Sequence, residues 1–241
     1  GGGYSMVYGG ISGTGAVTGN KVIFNHGETA DALVGGYTGA TDKDVRGNSV
    51  TVADGTIKDD IIGGWAGVAA GTGTLAENTV AITGGTIGSY DGGIVYGART
   101  SGNGVLKNNT VSFANASTSK AVYGAATDDT NSTATLRGNS ITVTSGTINS
   151  PVAGGYTVGT GAVGGAEEGA GNRVVFESGT AGDLYGGQID NADSTSDVTG
   201  NSVTVKGGAF GEIYGGNTKG TGSANRNTVT VNSGTSDADV Y

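Results

Sequence analysis

Cysteine is absent from the 241 residues, and proline, histidine, methionine and tryptophan occur once each. Without cysteine there are no disulfides and no thiolate metal sites, although this alone assigns no compartment. The single histidine, His26, cannot supply a zinc cluster, and it precedes a glycine bend where exposure is the ordinary expectation. Basic residues are scarce, with 12 Lys and Arg against 21 Asp and Glu, giving a net charge of −9. The clustered positive charge that a nucleic acid or an anionic membrane requires is therefore not expected. No run approaches the 18 apolar residues of a membrane span, and no signal-peptide pattern is read ahead of the first repeat in these 241 residues. With 51 glycines and 35% hydrophobic residues the chain borders on a low-complexity composition. One proline and no Gly-X-Y period exclude collagen, and the strict column order described next excludes disorder.

What is present is repetition. The hexapeptide GNSVTV occurs at 47–52 and again at 200–205, and relatives of it recur throughout. Their asparagines are Asn20, Asn48, Asn78, Asn109, Asn139, Asn172, Asn201 and Asn227, so the chain is eight copies of a unit of roughly 30 residues. Two and four residues after each asparagine the side chain is always apolar, as in Val50 and Val52 or Val111 and Phe113. The positions between are mostly Ser or Thr. This period of 2 with β-branched residues marks a strand with one buried face, and the asparagine shares the parity of that face. Seven residues after the asparagine comes Gly27, Gly55, Gly85, Ala116, Gly146, Gly179, Gly208 or Gly234, which marks a bend. A second strand follows, spelled VYGG at 7–10, LYGG at 184–187 and IYGG at 213–216. A third apolar column stands three residues before the asparagine: Val17, Val45, Leu75, Leu106, Leu136 and Val198, broken by Gly169 and Ala224.

Three short apolar segments per repeat suggest a three-sided coil. One such unit cannot bury its strands alone, but stacking each on the next makes a continuous core. The reading is a single all-β domain over 1–241, a right-handed parallel β-helix (β-solenoid) of about eight coils. Neither end carries an atypical capping repeat, so the chain is expected to be a piece of a longer rod. The asparagine column has two explanations that the sequence leaves open. The amides hydrogen-bond along the rod, or each asparagine is a turn residue at positive φ.

An aromatic column is the best candidate for a site. Tyr8, Tyr96, Tyr123, Tyr185, Tyr214 and Tyr241 hold the second position of the VYGG strand. Where Val34, Ile62 and Ala153 replace them, an aromatic stands three residues later: Tyr37, Trp65 and Tyr156. Each coil thus carries one aromatic near its Gly-Gly corner. The stripe either stabilises the stack or holds sugars or a protein partner; the binding residues would be Tyr8, Tyr37, Trp65, Tyr96, Tyr123, Tyr156, Tyr185 and Tyr214. An offset of three changes strand parity, so a common face depends on the Gly-Gly bend. The Ser and Thr columns, such as Ser49–Thr51 and Thr228–Thr230, form an outward hydroxyl array that resembles an ice-binding face, interrupted at Lys21–Ile23 and Arg173–Val175.

Catalytic, metal and cofactor motifs are not found. The acidic pairs Asp59–Asp60, Asp128–Asp129 and Glu167–Glu168 fall in expected turns, the calcium nonapeptide does not recur, and glycine-rich phosphate loops need helices that the pattern lacks. Variable lengths at Tyr37–Asp44, Thr127–Thr133, Val158–Glu168 and Gln188–Ser196 are expected to project from one face as irregular loops carrying recognition, while the stretch from the asparagine to the second strand is nearly constant except in the third copy, with extra residues around Tyr90 and Asp91.

The iterated GNSVTV…GT…VYGG pattern, rich in Gly, Ser, Thr and Asn, resembles the passenger domains of bacterial autotransporter adhesins. The resemblance covers nearly the whole chain but is one of repeat style. It implies export through the outer membrane, display on the cell surface and a role in adhesion or aggregation. Its partner would be a host-cell or bacterial surface protein or glycan, and an outer-membrane β-barrel would anchor the parent protein from outside this chain. No shared ligand motif is carried over. Two other classes stay open: a polysaccharide-active enzyme on the same helix, marked by a carboxylate cluster in one groove, and an ice- or glycan-binding solenoid.

Overall fold

The structure is a computed structural model and describes residues 5–29, 31–88, 92–167, 169–236 and 238–241. The extra residues at Tyr90 and Asp91, and Glu168, lie outside the described residues. The described chain is all β with no helix, and every strand pairs in parallel with its counterpart one repeat away. The coil has four sides rather than the three expected, each an eight-stranded sheet. A tyrosine sheet is built from six-residue strands such as Leu33–Thr38. A short leucine sheet follows, with strands such as Leu75–Ala76, and then a valine sheet with strands such as Ser49–Val52. The fourth side is a short sheet with strands such as Thr56–Ile57, just past the glycine bend. Most of its strands bury a single residue and give no alternation to detect, yet Ile57, Ile87 and Ile148 are almost wholly buried there.

Register follows the sequence columns. Val50 lies beside Val22 and Val80, and Val52 beside Phe24 and Ile82. The main core joins these columns to the inward residues of the fourth side and to the first residue of each tyrosine strand, including Ile57 and Ile61. A second cluster lies under the leucine sheet, with Leu75, Leu106 and Leu136 fully buried. Burial of some 25 cal/mol per Å2 of apolar surface holds each rung to the next, and the rung spacing of about 4.8 Å makes eight coils roughly 38 Å long.

In the sixth copy the column residue is Val163, which pairs with both Leu136 and Val198, and not Gly169. The pattern misled because the copy is longer at the corner itself. From Val163 to Asn172 the chain takes nine steps, where Leu136 to Asn139 takes three. The insertion thus leaves between the leucine and valine sheets, whereas the other variable segments leave between the tyrosine and leucine sheets. Those segments are on one side as expected, but they are not irregular projections. They stack rung on rung through bonds such as Thr160 N–H to Ser132 O (2.7 Å) and Thr221 N–H to Ser194 O (2.8 Å), with Ser132 and Ser194 buried.

The asparagines are a ladder. Asn48 donates from Nδ2 to Asn78 Oδ1 (3.0 Å) and to Val17 O (2.9 Å), and its own Oδ1 accepts from Asn20 N–H (3.0 Å) and Asn20 Nδ2 (2.9 Å). The same set repeats to Asn227, and the six inner asparagines are fully buried. A primary amide suits the place because it accepts on one side and donates on the other. The positive φ belongs instead to the residue before, Gly47 at 63° or Glu77 at 59°, which settles the choice between ladder and turn.

Candidate aromatic face

The Gly-Gly corner restores the parity that an offset of three would break. Gly35 and Gly36 both turn inward: a Cβ on the first would lie 2.5 Å from Gly63 O, and on the second 2.6 Å from Asn48 Cγ. Where the second glycine becomes Ala98 or Ala125, the methyl is fully buried. Two successive inward residues cost one step of alternation. The second and fifth residues of the strand therefore both face out, and the asparagine ladder is what the glycines make room for.

All eight sequence-predicted aromatics come together on this outer face. Their rings contact in sequence: Tyr8 with Tyr37 (centroids 6.0 Å), Tyr37 with Trp65 (4.7 Å), Tyr96 with Tyr123 (5.7 Å) and Tyr123 with Tyr156 (4.6 Å). Tyr185, Tyr214 and Tyr241 form a second stack at 5.1 and 4.9 Å, with planes within a few degrees of parallel. The substitution of one column by the other thus keeps rings in reach across the change, as at Tyr123 and Tyr156. Each contact contributes about 0.5–1.5 kcal/mol beyond area burial. Tyr96 and Tyr185 are buried. Faces used in stacking are not free to receive a sugar ring.

Arg99 bridges the break between Trp65 and Tyr96. It holds the register place of Trp65, and its guanidinium lies 5.4 Å from the Trp65 ring centre and 5.3 Å from that of Tyr96. Asp128 accepts from its Nε (2.7 Å) and Asp60 from NH1 (3.2 Å), so a cation sits between two π-faces and two carboxylates. The sequence reading missed Arg99, since nothing in one strand shows which rings its neighbours supply. It also missed the acids two residues before three of the tyrosines. Tyr185, Tyr214 and Tyr241 donate to Asp183 (3.3 Å), Glu212 (2.5 Å) and Asp239 (2.9 Å), a pattern visible as DLY, EIY and DVY.

These surroundings keep the phenols protonated. Burial, then the Asp190 charge, pushes Tyr123 up to about 12, and burial raises Tyr96, Tyr156 and Tyr185 as well. For Tyr214 the leading cause is its hydrogen bond to Glu212, which raises it to about 12. The Trp65 Nε1 is buried with no hydrogen-bond partner among the described residues, so this ring serves through its faces.

Other candidates have different positions. His26 is exposed, as expected. The hydroxyl columns are in register along the valine sheet, Thr110 beside Ser140 and Ser112 beside Thr142, but Lys21–Ile23, Ala81 and Arg173–Val175 break them. Among the expected loop acids, Asp128 is held by Arg99, and Asp190 by Tyr156 and Lys219. Asp59 is held above the usual carboxylate range by burial, by Asp60 and by a hydrogen bond with Asp31. Among the described residues no group of three or more His, Cys, Asp or Glu is placed to hold a metal ion.

The fold and this face define a parallel β-solenoid with an external aromatic ladder. Comparison of the chain with protein-family models, with curated proteins and with solved structures returned no match.

Proposed function

We propose that this chain is the rod of a surface-displayed bacterial autotransporter passenger, working as an adhesin or as the stalk that presents one. The observation that carries the reading is the unbroken eight-rung ladder with asparagine amides bonded inside it. Such a rod bends little and holds distance. Each rung touches only its neighbours, so folding can nucleate at one point and propagate along the chain, which suits a polypeptide delivered end-first to the cell exterior. No disulfide has to form on the way. The partner would be a host-cell or bacterial surface protein or glycan, and the anchor an outer-membrane β-barrel supplied by the parent protein.

The stacked tyrosines favour a stabilising role for the aromatic face over direct binding, because the stacked pairs turn ring faces toward one another that a sugar would need. A polysaccharide-active enzyme has one observation in its favour, the raised Asp59 beside Asp31 and Asp60. Asp60, however, is committed to Arg99 and to the amides of Gly93 and Ile94. To test the proposal, the chain is displayed on bacteria through an outer-membrane anchor, and aggregation and adherence to host cells are compared with the anchor alone. Protease resistance of the displayed rod establishes folding. A folded, exposed rod that neither promotes adhesion nor extends a known binding module away from the surface would refute it.

A further inference from the structure

The loops between the tyrosine and leucine sheets differ in length from rung to rung. Thr127, Thr157 and Ile189 end neighbouring tyrosine strands in register, and Leu136, Val163 and Val198 stand in register in the leucine sheet. The chain takes nine steps from Thr127 to Leu136, six from Thr157 to Val163 and nine from Ile189 to Val198. The middle loop is thus three residues shorter than both of its neighbours and recedes between them. It leaves a cleft of about 610 Å3. Small-molecule sites enclose roughly 300–1,000 Å3, so the notch has the size of one.

Val158 and Thr160 make the floor, Thr130 and Asn131 one wall, and the stretch from Asp190 to Asp193 the other. Asn191 fixes the walls. Its Nδ2 donates across the notch to Val158 O (2.8 Å) and Thr130 O (3.3 Å), and its Oδ1 accepts from Asp193 N–H (2.9 Å). Asp190 belongs to the frame as well, held by the Tyr156 hydroxyl (3.0 Å) and by Lys219. Among the described residues, the exposed Asp193 carboxylate and the Thr130 and Thr160 hydroxyls make no hydrogen bond. Two rungs earlier the same order of lengths recurs, with Ala66 to Leu75 and Thr127 to Leu136 around the short Thr100 to Leu106. There Ser101 and Asn103 hold the floor places, and both are committed to the wall. Ser101 Oγ donates to Asp128 (2.7 Å), and Asn103 Oδ1 accepts from Thr133 N–H (2.9 Å). The side chains of Val158 and Thr160 leave the later notch open.

We propose that this cleft binds a neutral, hydroxyl-rich glycan. No Lys or Arg is among the lining residues, and the net charge of −9 disfavours any polyanion. A neutral sugar meets no such penalty. Its hydroxyls can donate to the Asp193 carboxylate and exchange hydrogen bonds with the two threonines, while Val158 and Ala192 offer methyl groups to its C–H faces. A basic peptide would find only one carboxylate uncommitted, since Asp190 already faces Lys219. It would also meet no aromatic or large pocket of the kind that anchors protein partners. As the ligand of an adhesin the glycan rests on the reading above, but the binding itself does not depend on display at a cell surface.

The test uses the whole chain in solution with immobilised mannan, galactan and dextran as neutral probes, and polygalacturonate and polylysine as charged ones. Retention on at least one neutral polymer, competed by the same polymer in solution, is expected. Asp193→Ala removes the uncommitted carboxylate and should weaken that binding about tenfold. Val158→Ser with Thr160→Asn copies the floor at Ser101 and Asn103, which the fold already accommodates, and should weaken binding about as much. The control Asp54→Ala makes the same charge change as Asp193→Ala at an exposed bend and should leave affinity within about twofold. Circular dichroism and protease resistance establish that each variant is folded. Retention on no neutral polymer, binding that either cleft variant leaves unchanged, or an equal loss in the control overturns the proposal. So does stronger retention on polygalacturonate or polylysine than on every neutral polymer. Glycan binding by a chain that does not promote adhesion would instead count against the adhesin reading alone.

Discussion

Removing one inner rung of the asparagine ladder should cost several times more than removing the first. Asn139 is fully buried and makes four side-chain hydrogen bonds. Its Nδ2 donates to Leu106 O (3.0 Å) and Asn172 Oδ1 (2.8 Å), and its Oδ1 accepts from Asn109 N–H (3.1 Å) and Asn109 Nδ2 (2.9 Å). In Asn139→Ala the Asn109 backbone N–H loses its acceptor in a dry place, at about 1–3 kcal/mol, and the remaining bonds and a small cavity bring the total to roughly 3–5 kcal/mol. Asn20 is only part-buried, and its amide donates to Thr18 O and Asn48 Oδ1. Asn20→Ala should therefore cost about 1 kcal/mol. Asn139→Asp adds a sign test. A carboxylate there can accept from Asn109 but faces Leu106 O and Asn172 Oδ1 with no proton to give, so its folded pKa is raised. The stability that the protonated acid retains is present below the unfolded value of about 3.9 and is lost as pH rises above it, leaving this variant worse than alanine at pH 7. Urea unfolding, with hydrogen exchange at the Asn109 amide to locate the opening, measures all three. An Asn139→Ala cost no larger than that of Asn20→Ala, or an Asn139→Asp protein as stable at pH 7 as in acid, would show that the ladder does not carry this energy.

Three further outcomes are expected. Because the Tyr123 and Tyr214 phenols have folded pKa values above the unfolded one, their contribution is complete below about pH 10 and declines as pH rises through about 12. For half-buried Tyr123 that decline is about 2 kcal/mol. Ultraviolet titration of tyrosinate alongside circular dichroism should show ionisation coupled to unfolding, and ordinary titration of a folded rod would contradict it. Glu77→Gly and Arg226→Gly relieve side chains held at φ 59° and 54° and should each stabilise by roughly 0.5–1 kcal/mol in thermal unfolding, while Gly47→Ala at φ 63° should destabilise by a similar amount. Arg99→Met leaves Asp60 without its cation and should cost about 2–4 kcal/mol; restoration by the added change Asp60→Asn would confirm that the lost pairing is the cause.

The repeat, the parallel stacking and the inward columns were legible in the sequence, because a rung that buries its strands only against its neighbours must repeat the same apolar positions. Val50, Val80 and Val111 stand where their spacing places them. The fourth side was not legible, since strands as short as Thr56–Ile57 bury a single residue and show no period. Nor was the Val163 register, because the insertion at the corner shifted the count while the contact with Leu136 stayed fixed. The aromatic residues were found by column, but sequence could not say that they share a face. That depended on two glycines turning inward together against a buried amide, which is a property of the coil rather than of any strand. The same holds for Arg99 between Trp65 and Tyr96, and for Asn191 against Val158: residues some 30 positions apart become neighbours only when one rung is laid on the next.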